Sequence, residues 1–192
     1  MLRIPIALIV VCSSFISCVT LRAQSGRPDP AETPPSPSRI GLEVAAGPAF
    51  EVATAGDRAS QRAVLGVPAL VIRVTSWFDY TVEGHLSRHV TPVSGNVFGI
   101  VPVGFRLHRG SRTQVHLSAG AGLVWTDLAG LHGVDQRRNF LTQIGTGIAR
   151  VGANGSGVSL EARLFHLSNL HGAPPNLGMD AIAVLVGYRL PR

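Results

Sequence analysis

The sequence predicts an all-β chain, an eight-stranded antiparallel transmembrane β-barrel, on three observations. From Ile40 onward apolar residues recur at alternate positions, with no helical repeat. The alternating runs end at Gly, Pro, Asn or Asp, as strands do. Long and short connections alternate between the runs, so that long loops share one end and tight turns the other. That is the plan of a small outer-membrane barrel, in which closure pairs every backbone group and the short turns face the periplasm.

The leader comes first. MLRIPIALIVVCSSFISCVTLRAQ has an early Arg3, an apolar centre from Ile4 to Val19 and small residues near Ala23, so residues 1–23 read as a secretory signal peptide. Ser13, Ser14, Ser17 and Thr20 interrupt the apolar run, which argues against a retained membrane helix. Both cysteines, Cys12 and Cys18, lie inside this leader. The mature chain is therefore expected to carry no thiol, which excludes a disulfide framework, a zinc-thiolate site and a cysteine nucleophile. Residues 24–39, SGRPDPAETPPSPSR with the preceding glutamine, are dense in proline and polar side chains and are expected to form a flexible linker. The barrel domain is then 40–192.

Its strands are expected at about Ile40 to Phe50, Ala63 to Val74, Trp77 to Leu86, Asn96 to Leu107, Thr113 to Trp125, Asn139 to Val151, Val158 to Asn169, and Met179 to Leu190. SRHVTPVSG and TDLAGLHGVDQRR are the long connections; TS, HRGSR and GANGSG are the short ones. Face-by-face polarity separates a barrel from a soluble sandwich. In QVHLSAGAGLVW one face carries Val115, Leu117, Ala119, Ala121, Leu123 and Trp125, and the other carries His116, Ser118, Gly120, Gly122 and Val124. In WFDYTVEGHL, Phe78, Tyr80, Val82 and Leu86 oppose Trp77, Asp79, Thr81, Glu83 and His85. A narrow polar interior with lipid outside fits this, since small glycine-rich positions leave room in which Asp79, Glu83 and Arg106 can pair. A sandwich would bury the apolar face instead.

The net charge is +6 and the pI is near 10.9. Lysine is absent and the arginines are scattered rather than clustered beside aromatics, which argues against nucleic acid. An exported basic chain meets lipid phosphates instead. Arg58, Arg62, Arg88, Arg137 and Arg138 fall in or beside the long loops, as phosphate contacts or as ordinary solvated charge.

The tripeptide His-Leu-Ser occurs at His85, His116 and His166. On a strand, residues two apart share a face, about 6.5–7 Å apart along the chain, so each copy places imidazole beside hydroxyl. Facing separates the copies. The first two pairs share their faces with polar residues and glycines and are expected to look into the barrel. His166 and Ser168 follow Leu160, Ala162 and Leu164 and are expected to face lipid, where an unpartnered polar pair is costly. Asp180 falls on the face of Ile182, Val184, Val186 and Tyr188 in the next strand, and antiparallel pairing brings it near the height of His166. The trio divides the labour of ester hydrolysis: Ser168 as nucleophile, His166 as general base, Asp180 to fix the imidazole tautomer. Asn169, Asn176 and the backbone around Gly178 are the nearest candidate donors to the developing oxyanion, although Pro174, Pro175, Asn176 and Gly178 also read as turn residues. His85 and His89 are four apart, about 13 Å along a strand, so no metal site is expected.

RLFHLSNLHGAPPNLGMDAI resembles the lipid A 3-O-deacylase (PagL) family, with its Arg-x-x-His-x-Ser-Asn, then Pro-Asn-x-Gly, then an acid near the final strand. GAGLVWTD and NFLTQIGTGI support the resemblance. It implies an eight-stranded barrel whose external triad removes the 3-linked acyl chain of lipid A, with no cofactor. His166, Ser168 and Asp180 occupy the matching positions, and Asn176 matches the residue associated with oxyanion stabilisation. The chain departs from the family pattern at Asp180, one methylene shorter than Glu, and at its GYRLPR end, which lacks a terminal aromatic. The expected partner is lipid A, or lipopolysaccharide, of the outer leaflet, with a homodimer as one assembly open to such a barrel. Two other functions remain open at this point: hydrolysis of other membrane lipids, and a non-catalytic structural barrel.

Overall fold

The computed structural model of the chain describes residues 39–53, 60–128, 131, 134, 137–169 and 178–191. The expected leader, and the linker up to residue 38, lie outside these. The strands are β1 (Ile40–Ala53), β2 (Arg62–Arg73), β3 (Phe78–Thr91), β4 (Gly95–Arg109), β5 (Thr113–Thr126), β6 (Arg138–Val151), β7 (Gly157–Ser168) and β8 (Met179–Arg189). Each pairs antiparallel with its neighbours in sequence, and β1 pairs with β8, so the sheet closes into an eight-stranded barrel with no free edge.

One connection differs from expectation. SRHVTPVSG is not a long loop, because β3 continues through Arg88↔Asn96 and His89↔Gly95 before turning at Pro92–Ser94. The alternation of the preceding residues carries on: Ser87 and His89 point inward and are buried, while Leu86 and Val90 stay exposed. The hairpin gains height rather than loop length, and the turn stays at the expected end.

The outer surface is an apolar belt of Leu42, Val44, Leu117, Ile148, Leu160, Val184 and Val186, each exposed. The lumen holds the charges. Arg163, 2% exposed, bridges Glu83 at 2.6 Å and Glu161 at 2.9 Å. Glu43 accepts from Arg106 at 2.7 Å and from Arg189 at 2.6 Å. Asp79 pairs with Arg73 at 2.8 Å. Asp79, Glu83 and Arg106 are thus inside as expected, but each takes a different partner. Buried charge is tolerated only when paired and hydrogen-bonded, and all of these pairs except Arg163–Glu161, which lies within β7, join different strands and so also tie the barrel wall together.

Arg106 reaches the lumen through a bulge. Thr81 lies opposite Gly104 and Glu83 opposite Val101, so Val82 faces the two residues Pro102 and Val103. Outward positions run Phe98 and Ile100 before the bulge and Val103, Phe105 and Leu107 after it. Pro102 has no N–H to give to a ladder, and the bulge is where a strand tolerates it. At the loop end, Asp127 Oδ2 accepts from Asn96 Nδ2 at 3.0 Å and its other oxygen accepts from the Asn96 backbone N–H. These donors hold the Asp127 carboxyl below the usual aspartate range and fasten the strand ends there.

Candidate active site on the lipid-facing wall

β7 and β8 are joined at the loop end and paired so that His166 stands directly opposite Asp180. Directly opposed residues of an antiparallel pair point to the same side, with Cβ atoms about 4.5–5.5 Å apart. Here that side is the exterior: the two side chains are 46% and 45% exposed. His166 Nδ1 lies 2.7 Å from Asp180 Oδ1. A carboxylate only accepts, so Nδ1 carries the proton and Nε2 is left as the basic nitrogen. The shorter acid costs no reach, because the register places it beside the ring.

Ser168 follows on the same strand, opposite Phe140 of β6. Phe140 is 43% exposed and faces lipid, so Ser168 occupies an outward register position rather than a luminal one. The serine itself is only 6% exposed. The hydroxyl is covered while the imidazole is open.

Gly178, just before β8, has φ +66°. A Cβ there would stand 2.8 Å from His166 Cε1 and 3.4 Å from Nε2. The glycine thus serves two needs, a left-handed turn and clearance for the basic edge of the imidazole. Asn169 lies beyond the end of β7 and is buried. Asn176 lies outside the described residues.

One neighbour of the site escaped the sequence reasoning. Thr142 of β6 stands opposite His166 on its other side and is exposed, so the imidazole is flanked by Asp180 and Thr142. The alternation of NFLTQIGTGI contained that signal, but only the register aligns it with His166. Arg163, the first residue of the Arg-x-x-His-x-Ser-Asn pattern, is not in the external site. It sits behind it in the lumen, between Glu83 and Glu161. From the same inner side Phe165 packs edge-on against His85, ring centroids 5.6 Å apart, and Leu167 is fully buried. The wall behind His166 and Ser168 is therefore clamped. The first two His-Leu-Ser copies are luminal as expected, with His85, Ser87, His116 and Ser118 all buried.

A serine, an imidazole of fixed tautomer and a carboxylate on one outward hairpin can carry out acyl transfer from a lipid ester. The family model described as lipid A 3-O-deacylase (PagL) matches residues 69–189. Among solved structures, the chain resembles Neisserial surface protein A (NspA) with a TM-score of 0.60 at 13% identity, over 81% of this chain and 98% of that one. It resembles the outer membrane enzyme PagL with a TM-score of 0.54 at 19% identity, over 80% and 99%. The N-terminal β-barrel domain of OprF from Pseudomonas aeruginosa gives 0.51 at 12%, over 81% and 100%. No match is found among curated proteins.

Proposed function

The chain belongs to the lipid A 3-O-deacylase (PagL) family and resides in the outer membrane, and from that premise we propose that it removes the 3-O-linked acyl chain of lipid A with a Ser168–His166–Asp180 triad on its lipid-facing wall. The observation that carries this reading is the cross-strand pair of His166 Nδ1 and Asp180 Oδ1 at 2.7 Å on the outer surface. A hydrogen-bonded ion-pair candidate facing hydrocarbon has no structural use comparable to the luminal pairs, which hold the wall together.

In the proposed reaction Ser168 Oγ attacks the ester carbonyl while His166 Nε2 takes its proton. Asp180 stabilises the imidazolium so formed and keeps Nε2 pointed at the reacting atoms. Donors from Asn169, Asn176 or the backbone at Gly178 receive the oxyanion. Collapse returns the proton to the sugar oxygen, which leaves as a hydroxyl. Water, deprotonated by the same nitrogen, then releases the fatty acid and restores the serine. No cofactor is required. Nor is a second copy of the chain, since all three groups come from one hairpin.

The test is reconstitution of the mature protein with lipid A and mass spectrometry of the released fatty acid. Release of a 3-hydroxy acid, abolished by Ser168→Ala and by His166→Ala, supports the reading. Release from phospholipid alone would move the substrate elsewhere. Equal release by parent and variants would remove Ser168 from the mechanism, and no release from any lipid would leave a structural barrel.

A further inference from the structure

We infer that Arg138 is the substrate's phosphate anchor: it holds the anomeric phosphate of the same glucosamine whose 3-O-ester meets Ser168. This rests on the deacylase reading and adds a specificity-determining residue to it.

Register supplies the position. Arg138 and Phe140 are two apart on β6 and share its outward face, and Phe140 is the direct partner of Ser168. Arg138 is therefore the diagonal neighbour of Ser168, one step toward the loops, at about 7–8 Å between backbones. A guanidinium on a flexible stem spans such a gap. Height supplies the environment. Arg138 stands directly opposite Trp125, and Trp125 stacks on Phe98 with centroids 6.0 Å apart. Together with Phe140 these rings form an exposed aromatic girdle at the loop end of the belt, which marks the level of the headgroups.

Charge completes the argument. Arg138 is exposed, and among the described residues it has no ion-pair partner. Arg88, by contrast, donates to Asn96 at 3.2 Å and lies on β3, far around the wall. In lipid A the anomeric phosphate and the 3-O-ester sit two ring carbons apart on one sugar. A cation one ladder step from the nucleophile matches that separation, and the bidentate geometry of arginine suits a phosphate.

The test uses the full mature protein in mixed micelles with three substrates: bisphosphorylated lipid A, lipid A lacking the anomeric phosphate, and lipid A lacking the phosphate of the other sugar. Arg138→Gln is expected to raise KM at least about tenfold on the two substrates that keep the anomeric phosphate, with kcat within about twofold. On the substrate lacking it, parent and variant are expected to coincide. Arg150→Gln, the same charge lost at the far end of β6, is expected to behave as parent. A loss that ignores the phosphate, or no loss, would overturn the anchor. Binding is read separately, by native mass spectrometry of lipid adducts on Ser168→Ala with and without Arg138→Gln. If the parent hydrolyses nothing, the deacylase reading fails, while the adduct ratio still decides the anchor: an undiminished ratio refutes it.

Discussion

At the residue scale the site depends on how an imidazole is held. His166 has Asp180 on one side, Thr142 on the other and Gly178 against its edge. Asp180→Asn should leave the barrel folded and lower kcat by on the order of 10³–10⁴, because the amide stabilises the wrong tautomer and cannot balance the imidazolium. Asp180→Glu should bring no gain in kcat. The aspartate already sits at 2.7 Å, and the extra methylene has to be taken up by moving the ring. A large gain would show the native acid to be badly placed. Gly178→Ala combines a strained left-handed φ with a 2.8 Å contact on the ring, so kcat should fall by about 10²-fold while the folded mobility on unheated gels is unchanged. The sequence displayed Ser168, His166 and Asp180 through parity alone. It hid Gly178's contact with the ring, since a turn glycine beside prolines looks the same whatever it touches.

At the element scale, β7 does two jobs on its two faces. Its outer residues present the site, while Arg163 and Glu161 close the luminal network. Replacing Arg163 with Met leaves Glu83 and Glu161 buried without their shared cation. This should cost about 3–5 kcal/mol in equilibrium unfolding of the reconstituted barrel. Inserting one residue after Arg163 makes a sharper test. Register slips of one residue invert every later side chain, so His166 and Ser168 would turn into the lumen. Hydrolysis should vanish even in those molecules that still fold, and retained activity would contradict an external site. The strand positions were legible in the period-two pattern. The length of β3 was not, because SRHVTPVSG carries the polar and proline residues of a loop while its ladder continues to His89↔Gly95.

At the scale of the whole molecule, closure makes one surface for lipid and one small interior for charge. The interior is filled by Arg163, Arg106, Glu43, Glu83 and Glu161, all engaged with one another or with neighbouring polar groups. The barrel should therefore show no discrete conductance steps in planar bilayers; a stable open level would contradict a sealed lumen. By itself the sequence determined the strand count, the closed antiparallel plan, and the outward placement of Ser168, His166 and Asp180. These follow from alternation, which is a property of neighbouring residues and needs no distant contact. Tertiary structure alone decided which strand positions stand opposite each other. It turned the expected nearness of Asp180 and His166 into a direct pair, put Arg138 diagonal to Ser168, and supplied the bulge at Pro102–Val103 by which Arg106 reaches its expected place in the lumen, where unbroken alternation from Asn96 would have sent it into lipid. Register and bulges are fixed by pairing across the whole sheet, and local residue patterns carry no record of a partner strand's offset.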